Sequence, residues 1–198
     1  MRKLIKRTAA ETPTLLFEEQ KAWEHWLAKN HKSSPGVWMR FAKKNSGLRS
    51  VTYKEVLEIA LCYGWIDGQK RSESDTTWLQ KFVPRGPRSI WSKINREAAA
   101  SLIQCGRMKA AGLAAVERAK QDGRWAAAYD SQKKATVPDD LQAALDHNPK
   151  AKAFFATLDS KNRYAVLFRI HTAKKPETRA RRLEQFVAML ARHEKLHP

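Results

Sequence analysis

Residues 62–97 read CYGWIDGQKRSESDTTWLQKFVPRGPRSIWSKINRE, and the way this stretch folds decides the class of the whole chain. Residues 65–71 and 77–83 are two runs rich in β-branched and aromatic side chains, separated by the turn-forming SESD. That spacing predicts an antiparallel hairpin. Pro84 and Pro87 then end strand pairing, because a proline has no N–H to give to a ladder. From Ser92 onward the period changes: Ile94, Ala98, Leu102 and Cys105 recur at helical spacing until Gly106, with Ser92 placed to cap the helix. A hairpin followed by helices reads as α+β, with a small antiparallel sheet and helices in the amino-terminal part and a helical carboxy-terminal part.

Working upstream, residues 18–29 carry Trp23, Trp26 and Leu27 on one helical face with Glu18 and Glu19 at its amino end, where the helix dipole favours acids. SSPG breaks that helix, and Val37, Met39 and Phe41 then alternate with Trp38 and Arg40 at the period of a strand. Thr52 and Glu55 form a capping box, with Val51 and Val56 as its staple, opening a helix that stops at Gly64. Downstream, Ala110, Leu113 and Val116 form a stripe ending at Gly123. Residues 129–140, YDSQKKATVPDD, are polar and carry Pro138, which reads as a linker. Short helices follow: Leu141 to Leu145, one capped by Asn148 with Pro149 in its first turn, one marked by Tyr164, Leu167 and Phe168, and one by Leu183, Phe186, Val187 and Leu190. The expected organisation is therefore an α+β part over 1–128, a linker over 129–140 and a helical part over 141–198. No internal repeat is visible.

Hydrophobic residues make up 42% of the 198 residues, with seven tryptophans, which excludes a disordered basic tail. The net charge of +18 favours anionic partners, nucleic acid among them. The start, MRKLIKRTAAETPTLLFEEQ, is basic but lacks the apolar core of a secretory signal, and no run is long enough to span a membrane. The expected location is the cytoplasm. Cys62 and Cys105 sit in apolar helical contexts and read as small core residues rather than a disulfide or metal pair.

One motif points to metal chemistry. His193-Glu194-Lys195-Leu196-His197 spells H-E-x-x-H, in which two histidines on one helix face bind zinc and the glutamate acts as base. Only Pro198 follows in this sequence, so no third ligand lies downstream, and the basic residues suit the negative end of a helix. The expectation is no metal and no cofactor.

Residues 62–97 hold the densest unusual chemistry, with three tryptophans, four arginines and two prolines. Arg85 and Arg88 read as a two-pronged clamp for a carboxylate or phosphate, beside the helix start formed by Ser92 and Asn95. Trp65 and Trp91 are candidates to stack on a flat ligand, Asp67 to orient an arginine, and Lys70 to add charge. The competing reading is scaffold: prolines shaping a loop, Trp91 plugging a core, Asp67 beginning a turn. A second candidate is a basic groove made by Arg163, Arg169, Lys174 and Arg179, against which stands a solvated face with a snorkelling arginine. No nucleophile–base pair and no phosphate loop is legible. No catalytic residue is assigned, and an enzyme is the weakest of the rivals.

The segments GWIDGQ, FVPRGPRSIWSKINRE, GRMKAAGLAAVERAKQDGRW and NRYAVLFRIHTAKKPETRARRLEQFVAML, in that order over residues 14–192, resemble the YdeI/OmpD-associated family, also called bacteriocin-protection proteins. The resemblance implies an α+β amino-terminal part, a helical carboxy-terminal part, a link to tolerance of antimicrobial peptides and bacteriocins, and an envelope porin as partner. It carries no catalytic residues to transfer. The combined expectation is a non-enzymatic stress-tolerance protein that binds an anionic ligand or a protein partner, with a nucleic-acid-binding module as the main rival.

Overall fold

The computed structural model describes residues 12–198. Residues 1–11, the basic start of the expected amino-terminal part and the segment examined for a signal, lie outside the described residues. Among the described residues there are eight helices and one four-stranded mixed sheet, so the chain is α+β. It divides into two compact units, one holding residues up to Ile90 together with Asn95–Ala126, the other holding Trp91–Ile94 and Ala127–Pro198.

The first unit is built on the sheet β1 (Thr14–Leu15), β2 (Val37–Ala42), β3 (Trp65–Ser72) and β4 (Thr77–Pro84), ordered β1-β2-β4-β3. β1 runs parallel to β2, and the other pairs are antiparallel. Val37, Met39, Phe41, Gln80 and Phe82 point to one face and are buried there. Helices α1 (Gln20–Asn30) and α2 (Tyr53–Cys62) supply that side: Trp23 lies edge-on to Phe82 at 6.1 Å and to Trp65 at 6.4 Å, and its indole N–H donates to the carbonyl of Val56. Rings at these separations contribute beyond the area they bury. The expected capping box is present, Thr52 accepting from the Glu55 amide while the Glu55 carboxylate accepts from the Thr52 amide, which draws the Glu55 carboxyl below its usual range.

Gly64 ends α2 with φ of 72°, and a Cβ there would lie 2.8 Å from the Ala111 carbonyl oxygen. The reason is α4 (Ala110–Gln121), which meets the end of α2 backbone to backbone: a Cβ on Gly112 would lie 2.4 Å from the Cys62 oxygen. This close approach corrects the expected stripe on α4 at Ala110 and Leu113, which are exposed, while Val116 is buried as expected. The buried positions are Gly112, Ala115, Val116 and Ala119, the small residues the contact requires, while Leu113 is turned out. On α3 (Lys93–Gln104) the buried positions are Ala99 and Leu102, with Ile94 and Cys105 exposed. An alanine-rich helix has apolar side chains around its whole circumference, so periodicity alone does not fix its inward face. Cys62 is buried as expected, and burial raises its thiol pKa.

The second unit packs α5 (Asp139–Asp146), α6 (Pro149–Thr157), α7 (Ser160–His171) and α8 (Pro176–Ala191) around Leu141, Leu145, Phe155, Val166, Ile170 and Leu190. Asn148 caps α6 and Asp159 caps α7 through their side chains. The stretch 129–140, read as a linker, is part of this unit. Tyr129 forms a parallel bridge with Ser92, Ala135 and Val137 pack against the helical core, and Asp139 and Asp140 occupy the first turn of α5. Its polar composition arises because the residues between those anchors face solvent. No helix among the described residues is long and apolar enough to cross a membrane.

Candidate functional site

In the first unit, the loop after β4 is held from beneath by two buried guanidiniums. Arg85, 6% exposed, donates to the carbonyl of Ile90 at 2.9 Å; Arg124, also 6% exposed, donates to the carbonyl of Ser89 at 2.6 Å and pairs with Asp122 at 2.7 Å. Arginine suits this task because its planar fork gives several donors in fixed directions. Arg88 is exposed, so Arg85 turns inward, Arg88 outward, and the two do not present a common pair of prongs. Trp65 is buried and donates its indole N–H to the His31 carbonyl at 3.1 Å. Asp67 accepts from the Tyr53 hydroxyl at 2.8 Å, and the Lys70 ammonium lies 4.4 Å from the Trp78 ring centroid. Asn95 is half-buried in the first turn of α3. Trp91 and Ser92 belong to the second unit, where Trp91 is buried and its carbonyl accepts from the Tyr129 amide. The candidate site residues of the stretch 62–97 are thus distributed through two units.

The proposed basic groove lies in the second unit. Arg163 sits 4.5 Å from the Phe155 ring centroid, Arg169 donates to the Ala165 carbonyl of its own helix, and Lys174 is exposed. Arg179 reaches inward: Nε and Nη2 grip both oxygens of Asp140 at 2.5 and 2.9 Å, while Nη1 donates to the Ile170 carbonyl. This fork-on-carboxylate arrangement holds Asp140 below the usual carboxylate range.

The H-E-x-x-H residues do not share a helix face. α8 ends at Ala191 and His193 takes φ of 59°. His193 stacks on Phe154 at 5.0 Å, Glu194 pairs with Arg192, and the His197 backbone is gripped by the buried Asn162, which donates to its carbonyl at 3.2 Å and accepts from its amide at 2.8 Å. This segment is bound to the unit by a polar clamp, and Leu196 packs on the helical core.

A basic cluster of the first unit that sequence reading missed lies on the sheet face opposite α1 and α2, where Trp38 is 8% exposed, Lys81 half-buried and Arg71 exposed. Trp38 pairs in register with Lys81, and Arg40 with Leu79. The register of β3 on β4 shifts between Asp67 and Lys70. A regular strand would put Arg71 on the helix-covered face with Asp67; the extra residue of a bulge sends Lys70 there and Arg71 to the other side. The Arg71 guanidinium then lies 4.3 Å from the Trp38 ring centroid and the Lys81 ammonium 5.7 Å from it. Arg40 is neutralised by a bidentate pairing with Glu73 at 2.6 and 2.7 Å, whose carboxyl is lowered by it. Arg71 and Lys81 therefore carry the net charge of this face. The outward alternation of Trp38 was the only sequence signal for it.

These features define an α+β chain of two units, the first with a basic, tryptophan-bearing sheet face. The chain belongs to a family described as a domain of unknown function (DUF8412), whose model matches residues 15–115, and it carries over residues 134–193 a domain described as bacteriocin-protection, YdeI or OmpD-associated. Of the YdeI/OmpD-associated resemblance read over 14–192, that family's model matches residues 134–193; GWIDGQ and FVPRGPRSIWSKINRE fall instead within the DUF8412 match. No curated protein and no solved structure matches the chain.

Proposed function

We propose that this is a non-enzymatic protein of bacteriocin tolerance that works by binding an acidic partner, and that the contact runs through the sheet face of Trp38, Arg71 and Lys81. The observation that carries the reading is the stacking of two cations on one tryptophan, beside an Arg40 whose charge is already matched. Cations held over an aromatic ring keep part of their charge available to an anion, and Trp38, buried beneath them, fixes their position. The net charge of +18 adds long-range attraction. The OmpD-associated description of the second domain supports an envelope protein as that partner, and the family resemblance implies a porin.

The test is a titration at low salt with poly-glutamate, a carboxylate polymer, and in parallel with random duplex DNA. The expected result is saturable binding of poly-glutamate that weakens with salt. Binding of duplex alone, with affinity falling linearly on a log–log plot against salt, overturns the acidic-partner reading in favour of nucleic acid.

A further inference from the structure

The second unit contains a cavity of about 120 Å³ on the flank of its helical core, with which it shares Leu167 and Ala135; the proposed contact face does not use it. Its walls are Tyr129, Tyr164, Phe168, Leu167 and Pro138, and its mouth includes Asp130, Thr136 and His171. The rings are fixed in place. The Tyr129 amide donates to the Trp91 carbonyl and its own carbonyl accepts from the Lys93 amide at 2.8 Å. Tyr164 donates its hydroxyl to the Asp130 carbonyl at 2.9 Å, and burial raises the pKa of this phenol, so it remains a donor at neutral pH. Phe168, one turn along α7, lies 5.8 Å from Tyr164 and meets Tyr129 edge-on at 4.9 Å.

We infer that this cavity is a binding site for a small neutral aromatic molecule carrying an O–H or N–H donor, with the ring among the three aromatic side chains and the donor directed to the Asp130 carboxylate. Size supports one ring: an apolar protein cavity of ~150 Å³ accepts benzene. Geometry supports rings, since edge-to-face partners at these distances extend an existing aromatic pair. Charge selects among ring compounds. Lys93 already lies 2.7 Å from Asp130, so an amine would meet an ammonium that has taken the carboxylate's charge, and a carboxylate ligand would meet Asp130 itself. A neutral donor meets neither penalty and gains a charge-assisted hydrogen bond. The site is largely preformed, with apolar walls and a few placed polar groups, as small-molecule sites are.

The experiment is an NMR titration of the full chain with phenol, indole, toluene, benzylamine and benzoate, following the aromatic signals of Tyr129, Tyr164 and Phe168. Phenol and indole should shift these signals saturably and bind at least about fivefold tighter than toluene, a difference of about 1 kcal/mol, with benzylamine and benzoate weaker than phenol. Asp130→Ala should remove the advantage of phenol over toluene while leaving toluene binding in place. Should that variant fold poorly, Thr136→Trp at the exposed rim should block entry and weaken both phenol and toluene about tenfold. Absence of saturable shifts in the three rings with phenol and indole, or tighter binding of benzylamine or benzoate, overturns the proposal.

Discussion

Among the described residues both units bury aromatic rings, but only one sets a group of them around a cavity. In the first, Trp23, Trp65, Phe41 and Phe82 are almost wholly buried and hold two helices on a sheet. In the second, Trp91, Phe155 and Phe186 are buried as well, while Tyr129, Tyr164 and Phe168 stand half-buried around a cavity. The basic residues also fall into two groups, though not by unit. Arg85, Arg124 and Arg179 are turned inward onto carbonyls or carboxylates, whereas Arg71 and Lys81 lie over an aromatic face. A side chain of one type is structural or available for binding according to what its element packs against.

The sharpest break of this comparison is Trp23→Ala. If the first unit depends on its ring cluster, the change should cost roughly 3 to 5 kcal/mol in denaturant unfolding; a loss below about 1 kcal/mol would mean that the cluster is incidental. Next in size is Asn162→Ala, which removes both hydrogen bonds to the part-buried His197 backbone, one to its N–H and one to its C=O. It should cost about 2 kcal/mol, and increased amide exchange at residue 197 should accompany it.

Asp140 sharpens the comparison through pH. Its folded pKa is depressed by Arg179, so the pair contributes stability above the unfolded carboxylate value, and that contribution is lost as pH falls through the lower folded value. Urea midpoints of the native chain and of Asp140→Asn should therefore differ by a constant amount from neutral pH down to the ordinary carboxylate range and converge in more acid solution. A gap that widens on acidification contradicts the pairing. The smallest effect belongs to Arg88→Gln, an exposed position, which should change stability by no more than about 0.5 kcal/mol.

Much of the fold was legible locally. The hairpin, the Thr52 capping box and the Asn148 cap follow from residues within a few positions of one another, where turn and cap chemistry act. The candidate site was less legible because its members meet through register. Trp38 and Arg71 lie on strands that do not pair directly with each other, and only the bulge between Asp67 and Lys70 brings Arg71 to the right face. Gly68 was a hint of irregularity in β3, without the direction of the shift. Arg85 presents the reverse case: in sequence it looks like half of an anion clamp with Arg88, but the carbonyl of Ile90 that it serves becomes its neighbour only when the loop closes. For Arg179, Asp140 lies too far away in sequence for any spacing rule to pair them.

The central claim is that position on the sheet face of Trp38, rather than total charge, carries binding. The most direct measurement compares two double variants that each remove two positive charges, Arg71→Gln with Lys81→Gln and Arg163→Gln with Lys174→Gln, in poly-glutamate titrations at one low salt concentration. The account predicts that the first pair weakens binding about tenfold, roughly 1.4 kcal/mol, while the second changes it less than about twofold. Equal losses from both pairs, or a larger loss from the second, would contradict it.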